Sequence, residues 1–83
     1  MVYLWDRETK QLIGSYHERE DAVKAMGGII SLFGENWSRG RFILTKKPSK
    51  QMVAEIVYQP YELFQRGLVY LDRTVYERST HKR

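Results

Sequence analysis

Val2-Tyr3-Leu4-Trp5-Asp6-Arg7-Glu8-Thr9-Lys10-Gln11-Leu12-Ile13-Gly14-Ser15-Tyr16 is the stretch on which the fold turns. Val2–Trp5 and Leu12–Tyr16 are runs of β-branched, aromatic and aliphatic residues, which suit a pleated, half-buried surface. Asp6–Gln11 between them is polar throughout, and Asp6 and Thr9 can bond local backbone groups, as turn residues do. Two such runs joined by a few polar residues predict an antiparallel hairpin. Alternation places Val2 and Leu4 on one face and Tyr3 and Trp5 on the other. One set is expected to face the core, with Ile13 on the matching side of the second strand. Gly14 is expected to mark a bulge or a close approach by a neighbouring helix.

The pattern changes after Tyr16. Glu18, Glu20 and Asp21 favour the positive end of a helix dipole, and Ala22, Val23 and Met26 fall on one apolar stripe. Gly27-Gly28 is then expected to end the helix, because Gly readily adopts the left-handed conformation at a C-cap. A hairpin alone is marginal in water, so this helix is expected to bury one of its faces.

With 83 residues the chain is read as one small domain over residues 1–78, followed by a flexible basic tail over 79–83. A chain this short buries only roughly 60% of its unfolded surface, which leaves a thin stability margin. With no cysteine, neither a disulfide nor a thiolate metal site can widen that margin. Two Trp, six Tyr and three Phe supply much of the core instead, and homodimerisation is a further route to stability. No apolar run approaches the roughly 20 residues that span a bilayer. Asp6 and Arg7 cut off the early apolar run, so no signal peptide is read and a cytoplasmic location is expected.

Further along, Ile29–Phe33 reads as one or two more helical turns, and Gly34–Gly40 as a loop bounded by glycines. Arg41–Thr45 reads as a third strand beside the hairpin. Lys46-Lys47-Pro48 breaks it, and Ser49 can cap a second helix running through Met52, Val53, Ile56 and Val57 to Tyr58. A strand is the rival for Val53–Tyr58. The helix is preferred because Met52, Ala54 and Glu55 favour it. Pro60 suits the first turn of another short helix, which Gly67 closes. Leu68–Leu71 is too short for periodicity to choose between strand and helix. The fold class expected is α+β: a small three-stranded antiparallel sheet with a ββα start, packed against two or three short helices.

The net charge of +4 is lopsided. Residues 1–38 carry four Lys/Arg and six Asp/Glu, whereas residues 39–83 carry ten and four. Such asymmetry implies an anionic partner for the second half, either nucleic acid or an acidic protein surface. Trp37, Arg39, Arg41, Lys46, Lys47 and Lys50 form the sharpest cluster. Cations pair with phosphates, and an indole can stack on a base. Arg39 and Arg41, two apart on an extended chain, would point to one side, and Gly40 between them would let a phosphate come close. The plainer reading is a solvated strand end with Trp37 as a core plug. Tyr61, Phe64, Arg66, Tyr70 and Arg73 are candidates for a protein interface, where Tyr and Arg are enriched, if they are not simply core. His17, Glu18, Glu20 and Asp21 match no familiar metal-ligand spacing, and the helix dipole accounts for the carboxylates. No catalytic constellation, metal site or cofactor motif is legible.

Val2-Tyr3-Leu4-Trp5-Asp6, Leu12-Ile13-Gly14-Ser15-Tyr16, the acidic lead into Ala22, and Arg39-Gly40-Arg41-Phe42-Ile43-Leu44 together resemble the nuclease-associated modular DNA-binding domain of homing endonucleases. The resemblance covers residues 2–45. It implies a hairpin followed by a helix-turn-helix-like unit and a closing strand. The chain departs from that pattern at Glu18, where the family usually has Ser, and at Ile29–Phe33, the counterpart of the DNA-reading helix, where Ser31 is the only polar residue.

Two functions are therefore expected. The first is a small non-enzymatic protein binding nucleic acid, DNA ahead of RNA, through a basic patch. The second is a protein-binding accessory or inhibitor module of phage type acting on a larger nucleic-acid enzyme.

Overall fold

The computed structural model describes residues 1–48 and 55–81, with side chains described as far as Thr74. Strands β1 (Val2–Asp6) and β2 (Gln11–Tyr16) form the expected hairpin, and helix α1 (Arg19–Phe33) follows directly. A single turn, α2 (Glu35–Ser38), leads into β3 (Phe42–Thr45). A short β4 (Ile56–Tyr58) precedes the long helix α3 (Pro60–His81). The fold is α+β, and its described strands form a four-stranded antiparallel sheet in the order β2-β1-β3-β4, one strand more than expected.

The hairpin turn is built by Asp6, whose Oδ1 accepts hydrogen bonds from the backbone N–H groups of Glu8 (2.9 Å) and Thr9 (3.4 Å). Lys10, at φ 60°, takes the left-handed position that returns the chain into β2. Leu4 pairs with Gly14 while Trp5 pairs with Leu12, so Ile13 is the extra residue of a bulge. This corrects the expected inward placement of Ile13: the bulge leaves it unpaired and 45% exposed. Gly14 sits beside that bulge, with the Tyr16 ring lying over it.

Val2 and Leu4 of β1, Phe42 and Leu44 of β3, Ala22, Met26 and Ile30 of α1, and Leu63 and Phe64 of α3 make one core between the sheet and the helices. Trp5 and Ile43 pair across the opposite face of the sheet and are also buried. There the Trp5 Nε1–H donates to Thr45 Oγ1 at 3.0 Å, satisfying the indole's polar edge.

Three glycines expected to punctuate the chain do not. α1 runs straight through Gly27-Gly28, so the expected stop and the separate turns at Ile29–Phe33 are one helix, which ends at Gly34 (φ 92°). α3 likewise passes through Gly67 and takes in Leu68–Leu71. For Gly27 and Gly67 the reason lies in how the two helices meet. A Cβ on Gly27 would come within 2.8 Å of the Tyr70 ring, and one on Gly67 within 2.9 Å of Met26 and 3.3 Å of the Gly27 backbone nitrogen. These residues let α1 and α3 approach closely. That packing outweighs the roughly 1 kcal/mol that each helix-interior glycine costs.

The second preferred helix is also corrected. Ile56–Tyr58 is a strand, pairing Thr45 with Ile56 and Leu44 with Tyr58. Ile56 and Val57 are β-branched, and β3 offered an edge to pair with. Residues 49–54, including the proposed cap Ser49, lie outside the described residues. So do Lys82 and Arg83 of the expected tail, while α3 is described to His81.

Gly67→Ala is expected to lower the unfolding free energy in urea, because overpacking costs about 1–3 kcal/mol against a gain of about 1 kcal/mol in helix propensity. Gly28→Ala, with open space around its Cβ, should instead raise it by about 0.5–1 kcal/mol. Equal effects at the two positions would contradict the close helix contact.

Candidate functional site

The five described residues of the basic cluster do not gather on one patch. β3 separates them: Trp37, Arg39 and Arg41 lie before it, and Lys46 and Lys47 after it. From Arg41 to Lys46 an extended chain covers roughly 16 Å. Lys50 lies outside the described residues.

Arg41 is turned inward. Its Nε–H donates to both carboxylate oxygens of Asp6, at 3.2 and 3.1 Å, and its Nη2 lies 3.0 Å from Asp6 Oδ2. Its Nη1 reaches Glu8 at 2.7 Å. The guanidinium carbon stands 3.8 Å from the centre of the Trp37 ring, and the side chain is only 15% exposed. These contacts leave a phosphate little of the guanidinium to bind. Burial by itself raises the Asp6 pKa. Hydrogen bonds from Arg41 and from the Glu8 and Thr9 N–H groups, together with the charge of Arg41, more than reverse that, and the carboxyl sits below its ordinary 3.8.

Arg39 goes elsewhere. It caps α2, and Gly40 at φ 69° turns the chain, so the extended geometry that would align Arg39 with Arg41 is absent. Arg39 lies 4.0 Å from Glu35 and 5.5 Å from the centre of the Phe64 ring. Gly40 is approached by two side chains of the protein itself: the Arg7 Nη1–H donates to its carbonyl at 2.6 Å, and the Tyr61 ring would be 3.4 Å from a Cβ there. Lys47 is 3.5 Å from Glu55.

Trp37 is not a core plug. It is 41% exposed and lies 4.6 Å from Phe33 and 5.8 Å from Phe42, centre to centre. Phe33 is 58% exposed and Leu32, beside it in the last turn of α1, 80%. Tyr61, 66% exposed, lies against Gly40. Phe33 and Leu32 are the contributors missed in the sequence. They read as the apolar side of a short helix, and only the length of α1 shows that the last turn overhangs the core.

The second set of candidates divides as well. Phe64 is core, and Tyr61 is exposed beside Gly40. Arg66, Tyr70 and Arg73 line a groove between α1 and α3. Among the described residues no group of three or more His, Asp or Glu side chains converges as a metal site would require, and no helix is long and apolar enough to cross a membrane.

The chain matches no protein-family model, no curated protein and no solved structure.

Replacing Arg41 with Ala leaves the buried Asp6 carboxylate unpaired, which should cost about 3 kcal/mol or more in chemical unfolding. Arg39→Ala, at an exposed pair, should cost no more than about 0.5 kcal/mol. Because the folded Asp6 pKa is depressed, its contribution is complete above pH 3.8 and is lost as pH falls through the lower folded value. Asp6→Asn should therefore lower the melting temperature at neutral pH and remove part of the acid limb of the stability curve. An unchanged acid limb would contradict the pairing.

Proposed function

We propose that the chain is a small non-enzymatic module that docks on another protein through the surface formed by Phe33, Trp37, Arg39 and Tyr61. The observation that carries this reading is the exposed aromatic pair Phe33–Trp37, held in place from below by Arg41. Trp, Tyr, Phe and Arg are the residues enriched at interfaces, and they concentrate binding energy where they can be desolvated together. A rigid, pre-stacked pair loses little side-chain freedom on binding. Contiguous exposed apolar surface on so small a protein is costly unless something covers it.

The rival reading, phosphate contact through one basic patch, is the weaker for two reasons. Arg41 is spent on Asp6 and Glu8. Trp37 already has Phe33 and Arg41 against its ring, so a base would have to displace one of them to stack there. Small size, the lack of a legible catalytic set and the lopsided charge fit an accessory or inhibitor module acting on a larger nucleic-acid enzyme.

The test is affinity capture with the full tagged chain after nuclease treatment. The expected result is one protein recovered in stoichiometric amount, lost with Phe33→Ser or Trp37→Ser and retained with Lys46→Ala, all variants being folded by circular dichroism. Loss of every partner on nuclease treatment would count against the proposal. So would binding to random duplex DNA that weakens steeply with salt and with Arg39→Ala.

A further inference from the structure

A second surface stands apart from the aromatic pair. α1 and α3 meet at Gly27 and Gly67, and beside that contact they leave a groove of about 590 Å3. Val23 and Lys24 form one wall, Arg66, Tyr70 and Arg73 the other, and Tyr58 of β4 contributes from the sheet. Two guanidinium groups converge on the Tyr58 ring: Arg66 at 4.3 Å and Arg19 at 5.9 Å from its centre. Arg19, Lys24, Arg66 and Arg73 thus face the groove or its edge, against the carboxylates of Glu20 and Glu62. Glu62 is 3.3 Å from Arg66 Nη2, which steadies that guanidinium while leaving most of its donors unused. The lining thus carries three cations, Lys24, Arg66 and Arg73, against two carboxylates, with Val23, Val69 and the Tyr58 and Tyr70 rings among them and Arg19 at the Tyr58 edge.

Its geometry constrains the occupant. Arg66, Tyr70 and Arg73 follow one another at helical spacing on a single stripe of α3. The two arginines are separated along the axis by roughly 10 Å. Both long walls are helices, whose backbone groups are bonded within themselves, so neither wall offers donors or acceptors to an extended peptide. A ligand that satisfies its own backbone fits better, namely a helix laid along the two existing ones.

We propose that this groove docks an acidic amphipathic helix of a protein partner. Two carboxylates one heptad apart meet Arg66 and Arg73, and the apolar side chains between them rest on Val23 and Tyr70. The charge excess of the lining favours an acidic helix over a basic or neutral one. The inference does not depend on the Phe33–Trp37 surface, and the two can fail separately.

The experiment is a fluorescence-anisotropy titration of the full chain against a labelled, helix-stapled peptide of about four turns, with Glu residues one heptad apart and Leu between them. Saturable binding is expected. It should weaken at least about tenfold when both Glu become Gln, and as much in the variant carrying Arg66→Ala and Arg73→Ala, since each charge-assisted contact carries roughly that factor. Lysine at both positions should restore part of the loss. Leu12→Ser, on exposed β2 outside the groove lining, should leave the affinity unchanged. No saturable binding, or equal binding of the Gln peptide, would overturn the proposal. Tighter binding of a random single-stranded oligonucleotide, abolished by the same arginine variants, would also overturn it by assigning the groove to nucleic acid.

Discussion

The ion pair between Asp6 and Arg41 ties together parts of the chain that would otherwise be independent. One carboxylate closes the hairpin turn through the Glu8 and Thr9 N–H groups and receives Arg41 from the start of β3. That fixes the end of β1 against β3, where Asp6 lies opposite Phe42. The same guanidinium supports Trp37, and Trp37 supports Phe33 at the end of α1. A buried pair of this kind adds little over an apolar substitute, but breaking it strands a charge. Its role here is positional: it sets where the aromatic side chains stand.

The consequence for function is a redistribution of charge and apolar surface. Arg41 would have counted toward a phosphate-binding patch, but its charge is neutralised within the fold. Phe33 and Trp37 remain exposed at that end, beside the exposed Arg39–Glu35 pair. The cations that stay accessible together are instead spread along the groove between α1 and α3. That groove lies beside the contact at which Gly27 and Gly67 let the two helices close, and Tyr58, Arg66 and Tyr70 line it. One end of the molecule is suited to apolar docking, and the groove to an anionic, partly apolar ligand.

Much of the architecture was legible where local signals and tertiary demands agree. The hairpin, the helix after it, the strand at Arg41–Thr45 and the helix start at Pro60 all carry their own turn, dipole or proline chemistry. The failures share a cause. Gly27 and Gly67 were read as stops because a glycine's local preference is visible in sequence and its packing partner is not; Gly28, with open space around it, is carried along in the same helix. Val2-Tyr3-Leu4 and Val69-Tyr70-Leu71 are identical tripeptides, yet one is strand and the other helix. So short a run takes its structure from what it packs against. Ile56–Tyr58 became a strand because β3 had an edge to fill. At the candidate site, composition counted the cations correctly but could not locate them. Whether Arg39 and Arg41 point together depends on the φ of Gly40 and on Asp6, which lies 35 residues from Arg41 in sequence.

The most direct measurement is a double-mutant cycle between Asp6 and Arg41, with Asp6→Ala, Arg41→Ala and the double variant unfolded in urea at neutral pH. If the two side chains form one buried unit, the single losses will not add, and the coupling energy will be about 1–3 kcal/mol. Additivity to within about 0.5 kcal/mol would mean that Arg41 is not held by Asp6. It would then be available to an external anion, and the basis for the aromatic docking surface would be gone.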